Sequence, residues 1–243
     1  MSGTKRILTC TLVAASALAV DSTSAQAQAS CTLPQSPEIW ATGDVWYEPQ
    51  VTQQLINHYW DAYAMERGDW DERWGFDDCG NVNLPLARTF NAMFAVHLSA
   101  PPGAGSDNFL TYSHSYVVDS IDEIQTSCTR SDGFARTQWG FWRDDWTRLY
   151  PIFFEESVPV RASTLVHEAR HANGVSHNAG TNCPLGGSCD SSLDYQGAWR
   201  YEVVWLWWFA YTSTAPYEMR LLAQKEANWI LEYAFQTDPG FQI

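Results

Sequence analysis

The stretch HEARHANGVSH, residues 167–177, holds three of the six histidines of this 243-residue chain. Its first eight residues belong to a longer segment, residues 159–174. This segment has a proline at its start, the apolar lead-in STLV (163–166) and a glycine at its end. Proline is favoured in the first turn of a helix, and glycine just after the last turn. The pattern predicts a helix over 159–174 that begins in the core and ends in polar side chains. Such a buried face needs a partner for its polar groups.

The spacing within this stretch suits a metal ion. On a helix, His167 and His171 share one face, about 6 Å apart along the axis. Glu168 is rotated by about 100° from His167, so it can stand beside a metal without binding it and take a proton from a metal-bound water. Gly174 can end the helix and let the chain turn back towards the same ion with His177. Three imidazoles leave the fourth tetrahedral position open, as in catalytic zinc sites, so we expect one zinc ion per chain.

These eleven residues resemble the extended H-E-x-x-H-x-x-G-x-x-H motif of metzincin-type zinc metallopeptidases. The resemblance implies a zincin-like domain in which His167, His171 and His177 bind zinc. It also implies that Glu168 is the general base in the hydrolysis of a peptide bond.

A looser resemblance, over residues 149–205, is to deuterolysin-type zincins, in which a downstream aspartate is the third ligand. Here that residue would be Asp190 or Asp194. If His177 binds the metal instead, these carboxylates are candidates to orient a ligating imidazole. A third zincin pattern uses a glutamate on the following helix, here Glu202, which we interpret as an ordinary charge in the first turn of that helix.

A peptidase also needs a donor for the developing oxyanion and a surface that holds the substrate. Tyr195 and Tyr201 are candidate donors, although packing alone would explain both. The candidate strand 134–142 offers an edge that could hold an extended peptide by strand addition. The other three histidines are scattered along the chain and are interpreted as ordinary core or surface residues: His58, His97 and His114.

The first 29 residues are typical of a secretory signal peptide. Lys5 and Arg6 precede an apolar run over residues 7–20 and then small residues that suit signal peptidase. The sequence thus predicts a secreted or periplasmic protein whose domain spans 30–243. A lipoprotein attached through Cys31 is the less favoured alternative.

Export makes disulfides expected. Cys183 and Cys189 flank the short loop PLGGS and are predicted to form one disulfide. A bridge between Cys79 and Cys128 is a second hypothesis. The odd number of cysteines in the mature chain leaves at least one thiol outside an intrachain pair.

Charge excludes one class of partner. Without Lys5, Arg6 and Asp21, the mature chain carries 12 basic and 27 acidic residues, a net charge of −15. Such a surface repels phosphate backbones, so nucleic acid is not expected as a partner. The apolar runs are too short for stable membrane insertion, and the sequence sets no oligomeric state.

Apolar periodicity predicts an α+β, mainly α, single domain with a small antiparallel sheet packed beside the motif helix. The predicted strands lie in FARTQWGFW (134–142) and RLYPIFFEE (148–156). Besides the motif helix, the predicted helices are 51–68, 86–100, 108–128, 195–213 and 215–235.

The function that these patterns favour is a secreted zinc-dependent metallopeptidase acting on a protein or peptide. Two alternatives stay open. One is a zinc hydrolase of a non-peptide substrate. The other is a non-catalytic secreted protein, a binding module or scaffold that zinc stabilises.

Overall fold

The structure is a computed structural model. It describes residues 53–65, 85–98, 113–129, 133–139, 146–180, 182–213 and 215–243. The predicted signal peptide and the cysteines Cys31 and Cys79 lie outside the described residues. The hypothesis of a Cys79–Cys128 bridge therefore remains a prediction.

The described part of the chain is mainly helical. Its seven α-helices are α1 (Gln53–Ala62), α2 (Pro85–Leu98), α3 (Ser113–Ser120), α4 (Pro151–Glu155), α5 (Val158–Ala172), α6 (Ala198–Thr212) and α7 (Tyr217–Tyr233). Three short strands form one sheet: β1 (Ile124–Thr126), β2 (Ala135–Gln138) and β3 (Trp146–Leu149). The predicted class, mainly α with a small sheet beside the motif helix, is confirmed, since β2 and β3 both contact α5.

The sheet is mixed, and the prediction of a purely antiparallel sheet was wrong. Its strand order is β1-β3-β2, with β2 antiparallel and β1 parallel to β3. Strand β1 comes from the segment 108–128, which was predicted to be helical throughout. Its residues alternate between buried and half-buried, and this period of two suits a strand.

The second predicted strand, 148–156, is divided by Pro151. Strand β3 ends at Leu149, and α4 begins at the proline. Tyr150, before the proline, has an extended backbone with φ −112° and ψ 167°. Proline disfavours the helical conformation in the residue before it and suits the first turn of a helix, so the element changes type at this point.

Helix α5, which carries the HEARH sequence, lies at the centre of the fold. It contacts α2, α3, α6, α7 and the sheet. Every residue from Val158 to Ala169 is buried, including the apolar lead-in to the motif. A helix surrounded on all sides is held by packing rather than by helix propensity, so its polar end has a fixed position.

The apolar run over residues 203–211 lies in α6, as predicted. Trp205, Leu206 and Phe209 are buried, whereas Trp207 and Tyr211 are exposed. Among the described residues, none of the helices combines the length and the hydrophobicity that a membrane span requires.

Candidate metal centre

Three histidine side chains converge at the end of α5. The Nε2 atom of His171 lies 3.1 Å from Nε2 of His167 and 3.2 Å from Nε2 of His177. Zinc–nitrogen bonds of 2.0–2.1 Å in a tetrahedron place two donors about 3.3–3.4 Å apart. Two of the three nitrogen separations thus nearly match what one metal ion requires, and the three histidines all offer ring nitrogens within 4.8 Å of one another.

The local backbone explains how His177 reaches the other two. Helix α5 ends at Ala172, and Gly174 has a left-handed backbone with φ +79°. The amide of Gly174 donates to the carbonyl of His171 at 2.8 Å. The glycine therefore closes the helix, as the sequence predicted, and the chain turns back across its open end.

Each imidazole is held through its other ring nitrogen. Nδ1 of His167 lies 2.8 Å from Oε2 of Glu202, and Nδ1 of His177 lies 2.9 Å from Oδ1 of Asp190. Nδ1 of His171 lies 2.6 Å from the carbonyl oxygen of Val175. Burial raises the pKa of Glu202 to about 7; in its ionised form Glu202, like Asp190 and a backbone carbonyl, can only accept, and the proton then lies on Nδ1 in all three rings. Histidines that bind metals are oriented in this way.

In that tautomer the Nε2 atom of each ring carries a lone pair, and the three histidines bring these atoms close together. Protonation of His167 and His171 is disfavoured, because burial lowers the pKa of His171 and holds that of His167 well below its ordinary value. Neutral imidazoles with Nδ1–H have only an acceptor at Nε2. Two acceptors within 3.2 Å of a third repel it unless a cation lies between them. The donor set therefore fits a metal ion that takes imidazole ligands.

Asp190 supports His177 from a fixed position. Its backbone amide donates to the carbonyl of Ala234, and its carbonyl accepts from Gln236. Its carboxylate is fully buried, with Oδ2 3.3 Å from the amide of Trp199. Asp190, one of the two aspartates considered as a third ligand, thus lies behind the imidazole of His177. This is the orienting role considered for it.

Gly197 makes room for this carboxylate. A Cβ atom built on Gly197 would lie 2.2 Å from Oδ2 of Asp190, closer than any real contact. The backbone of Gly197 has an ordinary negative φ of −76°, so its small size rather than its conformational freedom is what the structure uses. No local sequence signal marks this role.

We expect Gly197→Ala to weaken metal binding by about 10–100-fold, the range typical for the loss of a group that orients a ligand. The added methyl displaces the Asp190 carboxylate, and His177 loses its partner. The matched control is Gly187→Ala, because a Cβ there meets nothing within 4 Å and its φ is not positive. Competition with a zinc chelator measures both variants. Equal affinity in the two would contradict this account of Gly197.

Glu202 was misinterpreted from the sequence. Instead of an ordinary charge in the first turn of α6, it is buried, with only 2% of its surface exposed. One carboxylate oxygen meets Nδ1 of His167, and the other accepts from the hydroxyl of Ser163 at 2.7 Å. Glu202 lies 35 residues from its histidine, so only the packing of α6 against α5 reveals the contact.

Glu168 is the buried carboxylate beside the triad. Its Oε2 atom is shielded from solvent and has no hydrogen-bond partner among the described residues. Burial raises the pKa of this carboxyl group. Together with the three histidines, Glu168 lines a cleft of about 750 Å³. A carboxylate that lines a cleft, with one unpartnered oxygen and a raised pKa, is suited to accept a proton there.

Three other candidates lie away from the triad. The side chain of Asp194 is fully exposed and lies 4.0 Å from Arg200. The hydroxyl of Tyr195 donates to the carbonyl of Ser176 at 2.8 Å. The ring of Tyr201 packs against Tyr116 and under the Arg170 guanidinium. The structure brings neither tyrosine into the described lining of the cleft.

The segment between His177 and Asp190 carries the predicted disulfide. Cys183 and Cys189 lie at disulfide distance, with their Cα atoms 6.1 Å apart. The amide of Ala179 also donates to the carbonyl of Cys189 at 3.0 Å. The cross-link and this hydrogen bond hold the loop that ends at Asp190.

The described lining of the cleft is largely aromatic and apolar outside the histidines and Glu168. Strand β2 forms one wall, and α6 and α7 contribute tryptophans. The side chains besides those of the centre include Phe134, Ala135, Arg136, Thr137, Trp139, Ile152, Leu185, Trp199 and Trp229. A cleft of this size and lining, with a few polar groups at its base, is typical of a site for an organic ligand.

Comparison of the chain with family models, with curated proteins and with solved structures gives no match. The case for a function therefore rests on the residues and geometry of the centre.

Proposed function

We propose that this protein is an exported zinc-dependent peptidase of the zincin type. The observation that carries the proposal is the convergence of three histidines, each with its Nδ1 next to an acceptor, beside the Glu168 carboxylate, whose Oε2 has no partner among the described residues. A structural zinc site needs no such carboxylate and is closed by a fourth protein ligand. In the described residues the triad offers three donors and opens onto a cleft.

His167, His171 and His177 would hold the ion. Zinc in such a centre supplies Lewis acidity, which activates water and polarises a carbonyl oxygen. Glu168 accepts the proton of the attacking water and returns it to the leaving amine. Its raised pKa makes the carboxylate a stronger base for taking that proton. Glu202 and Asp190 keep His167 and His177 in the tautomer that leaves Nε2 available.

The position of β2 supports a peptide as substrate. In the described sheet β2 is an edge strand, paired only with β3. Its residues Ala135, Arg136 and Thr137 line the cleft that holds the triad. An edge strand presents unpaired backbone amides and carbonyls, which an extended peptide can pair with. The predicted strand over 134–142 is realised as Ala135–Gln138.

The proposal is tested by combining elemental analysis with a cleavage assay on the purified mature chain. After zinc loading, we expect the purified chain to contain zinc. His171→Ala should contain one zinc ion fewer per chain. The wild-type chain should cleave members of a fluorescence-quenched peptide library. Zinc without cleavage of any library member would favour the scaffold or non-peptide alternative. No zinc at the triad after loading would overturn the proposal altogether.

A further inference from the structure

The other three histidines also converge. From their scattered sequence positions they were predicted to be ordinary core or surface residues. Helices α1, α2 and α3 bring together His58, His97 and His114, from three segments of the chain. Each can offer a ring nitrogen within 4.8 Å of the others. Their ring centroids are 4.3–5.9 Å apart, against 4.6–5.2 Å in the triad at the end of α5.

The contacts within this second triad bring ring nitrogens close together, and the rings of His97 and His114 are stacked 5° from parallel, so one of them must turn before all three lone pairs meet at an ion. Nε2 of His58 lies 3.3 Å from Nε2 of His114. This is close to the distance of about 3.3–3.4 Å between two nitrogen ligands of a tetrahedral zinc ion. The other nitrogen of His114, Nδ1, is buried with no hydrogen-bond partner in the described residues. Neither nitrogen of His114 therefore has an ordinary protein partner.

His97 is oriented as a metal ligand would be. Its Nδ1 lies 3.2 Å from the hydroxyl oxygen of Tyr59. When Nδ1–H donates to that oxygen, Nε2 keeps its lone pair.

We propose that His58, His97 and His114 form a second zinc site. The site goes beyond the peptidase proposal and raises the expected content from one to two zinc ions per chain. Three imidazoles are a ligand set that zinc accepts. His58 is exposed, so an ion can reach the site from solvent.

The role of this second site is to join helices. Its ligands come from α1, α2 and α3, which are far apart in sequence, and an ion that binds all three in the folded chain stabilises the folded state over the unfolded one. Helix α3 also touches the end of α5: Asn173, the C-cap of α5, donates to the hydroxyls of Tyr116 and Ser120. Zinc here would stabilise the helices that pack around the motif helix.

Elemental analysis after zinc loading and removal of excess metal tests the second site. We expect two zinc ions in the wild-type chain, one in His171→Ala, one in His58→Gln and none in the double variant. Because His58 is exposed, His58→Gln leaves the core intact. The matched control is Asp61→Asn, exposed on the same helix one turn further on, which should keep both ions.

Thermal unfolding gives a second readout that does not depend on cleavage. In His171→Ala, saturating zinc should raise Tm by about 5–10 °C, because binding to the folded state alone stabilises it. The same addition to His171→Ala/His58→Gln should leave Tm unchanged. If His171→Ala binds no zinc, or the double variant binds as much as His171→Ala, there is no second site. Peptide cleavage by His58→Gln should persist, so failure here is distinguishable from failure of the peptidase proposal.

Discussion

Glu168→Gln is expected to abolish nearly all peptide hydrolysis while leaving zinc bound. The amide has the shape of the carboxylate but cannot accept the proton of the attacking water. Loss of a general base costs about 10²–10⁴-fold in turnover, so kcat on the best-cleaved library peptide should fall by that factor. Zinc content should stay at the wild-type value, since Glu168 is outside the set of converging nitrogens.

The matched control for this variant is Glu218→Gln, which makes the same chemical change at an exposed position in the first turn of α7. Turnover by the control should equal that of the wild type. If Glu168→Gln also turns over at the wild-type rate, Glu168 is not the base. If Glu168→Gln loses its zinc, the carboxylate has a structural part in the centre that the geometry does not indicate.

His177→Ala is expected to weaken zinc binding at the α5 centre as severely as His171→Ala. Both remove a donor whose Nε2 belongs to the same cluster. Asp190→Asn should cost about 10–100-fold, because it alters the group that orients His177 rather than a donor. Asp194→Ala should have no measurable effect, since that side chain is fully exposed.

Chelator competition measures the zinc affinities of these variants. Each variant is made in a His58→Gln background, so that only zinc at the α5 centre is measured. The reverse order, with His177→Ala binding zinc normally and Asp190→Asn losing it, would contradict the assignment of His177 as third ligand. The deuterolysin-like arrangement, with Asp190 as ligand, would then replace the metzincin-like one.

Local sequence predicted the motif helix well because its signals act over a few residues. The proline at its start, the apolar residues of its buried face and Gly174 at its end each act within a turn or two of the helix. The same holds for the short disulfide loop between Cys183 and Cys189. Two segments were predicted wrongly, 108–128 and 148–156. Each changes from one element to another within a few residues, and such short stretches show too few apolar residues to distinguish a helical from a strand period.

Two residues behind the histidines could not be predicted in this way, although Asp190 was a candidate for orienting an imidazole. Glu202 looked like a common helix charge, and Gly197 like a common turn residue. Their roles depend on α6 packing against α5 and on a clearance of one methyl group beside Asp190. The sequence likewise offered no reason to connect His58, His97 and His114, because nothing local relates three helices separated by tens of residues.

The sequence determined the features that depend on neighbouring residues, and the tertiary structure decided those that depend on residues far apart in the chain. The sequence by itself determined the helix, its end and the spacing of His167, His171 and His177, because helix geometry converts a spacing of four residues into a shared face. Only the tertiary structure decided that Asp190 stands behind His177, that Glu202 holds His167 and that a second triad exists. Buried polar groups find their partners through packing between distant segments, and that packing depends on the whole core rather than on any one stretch.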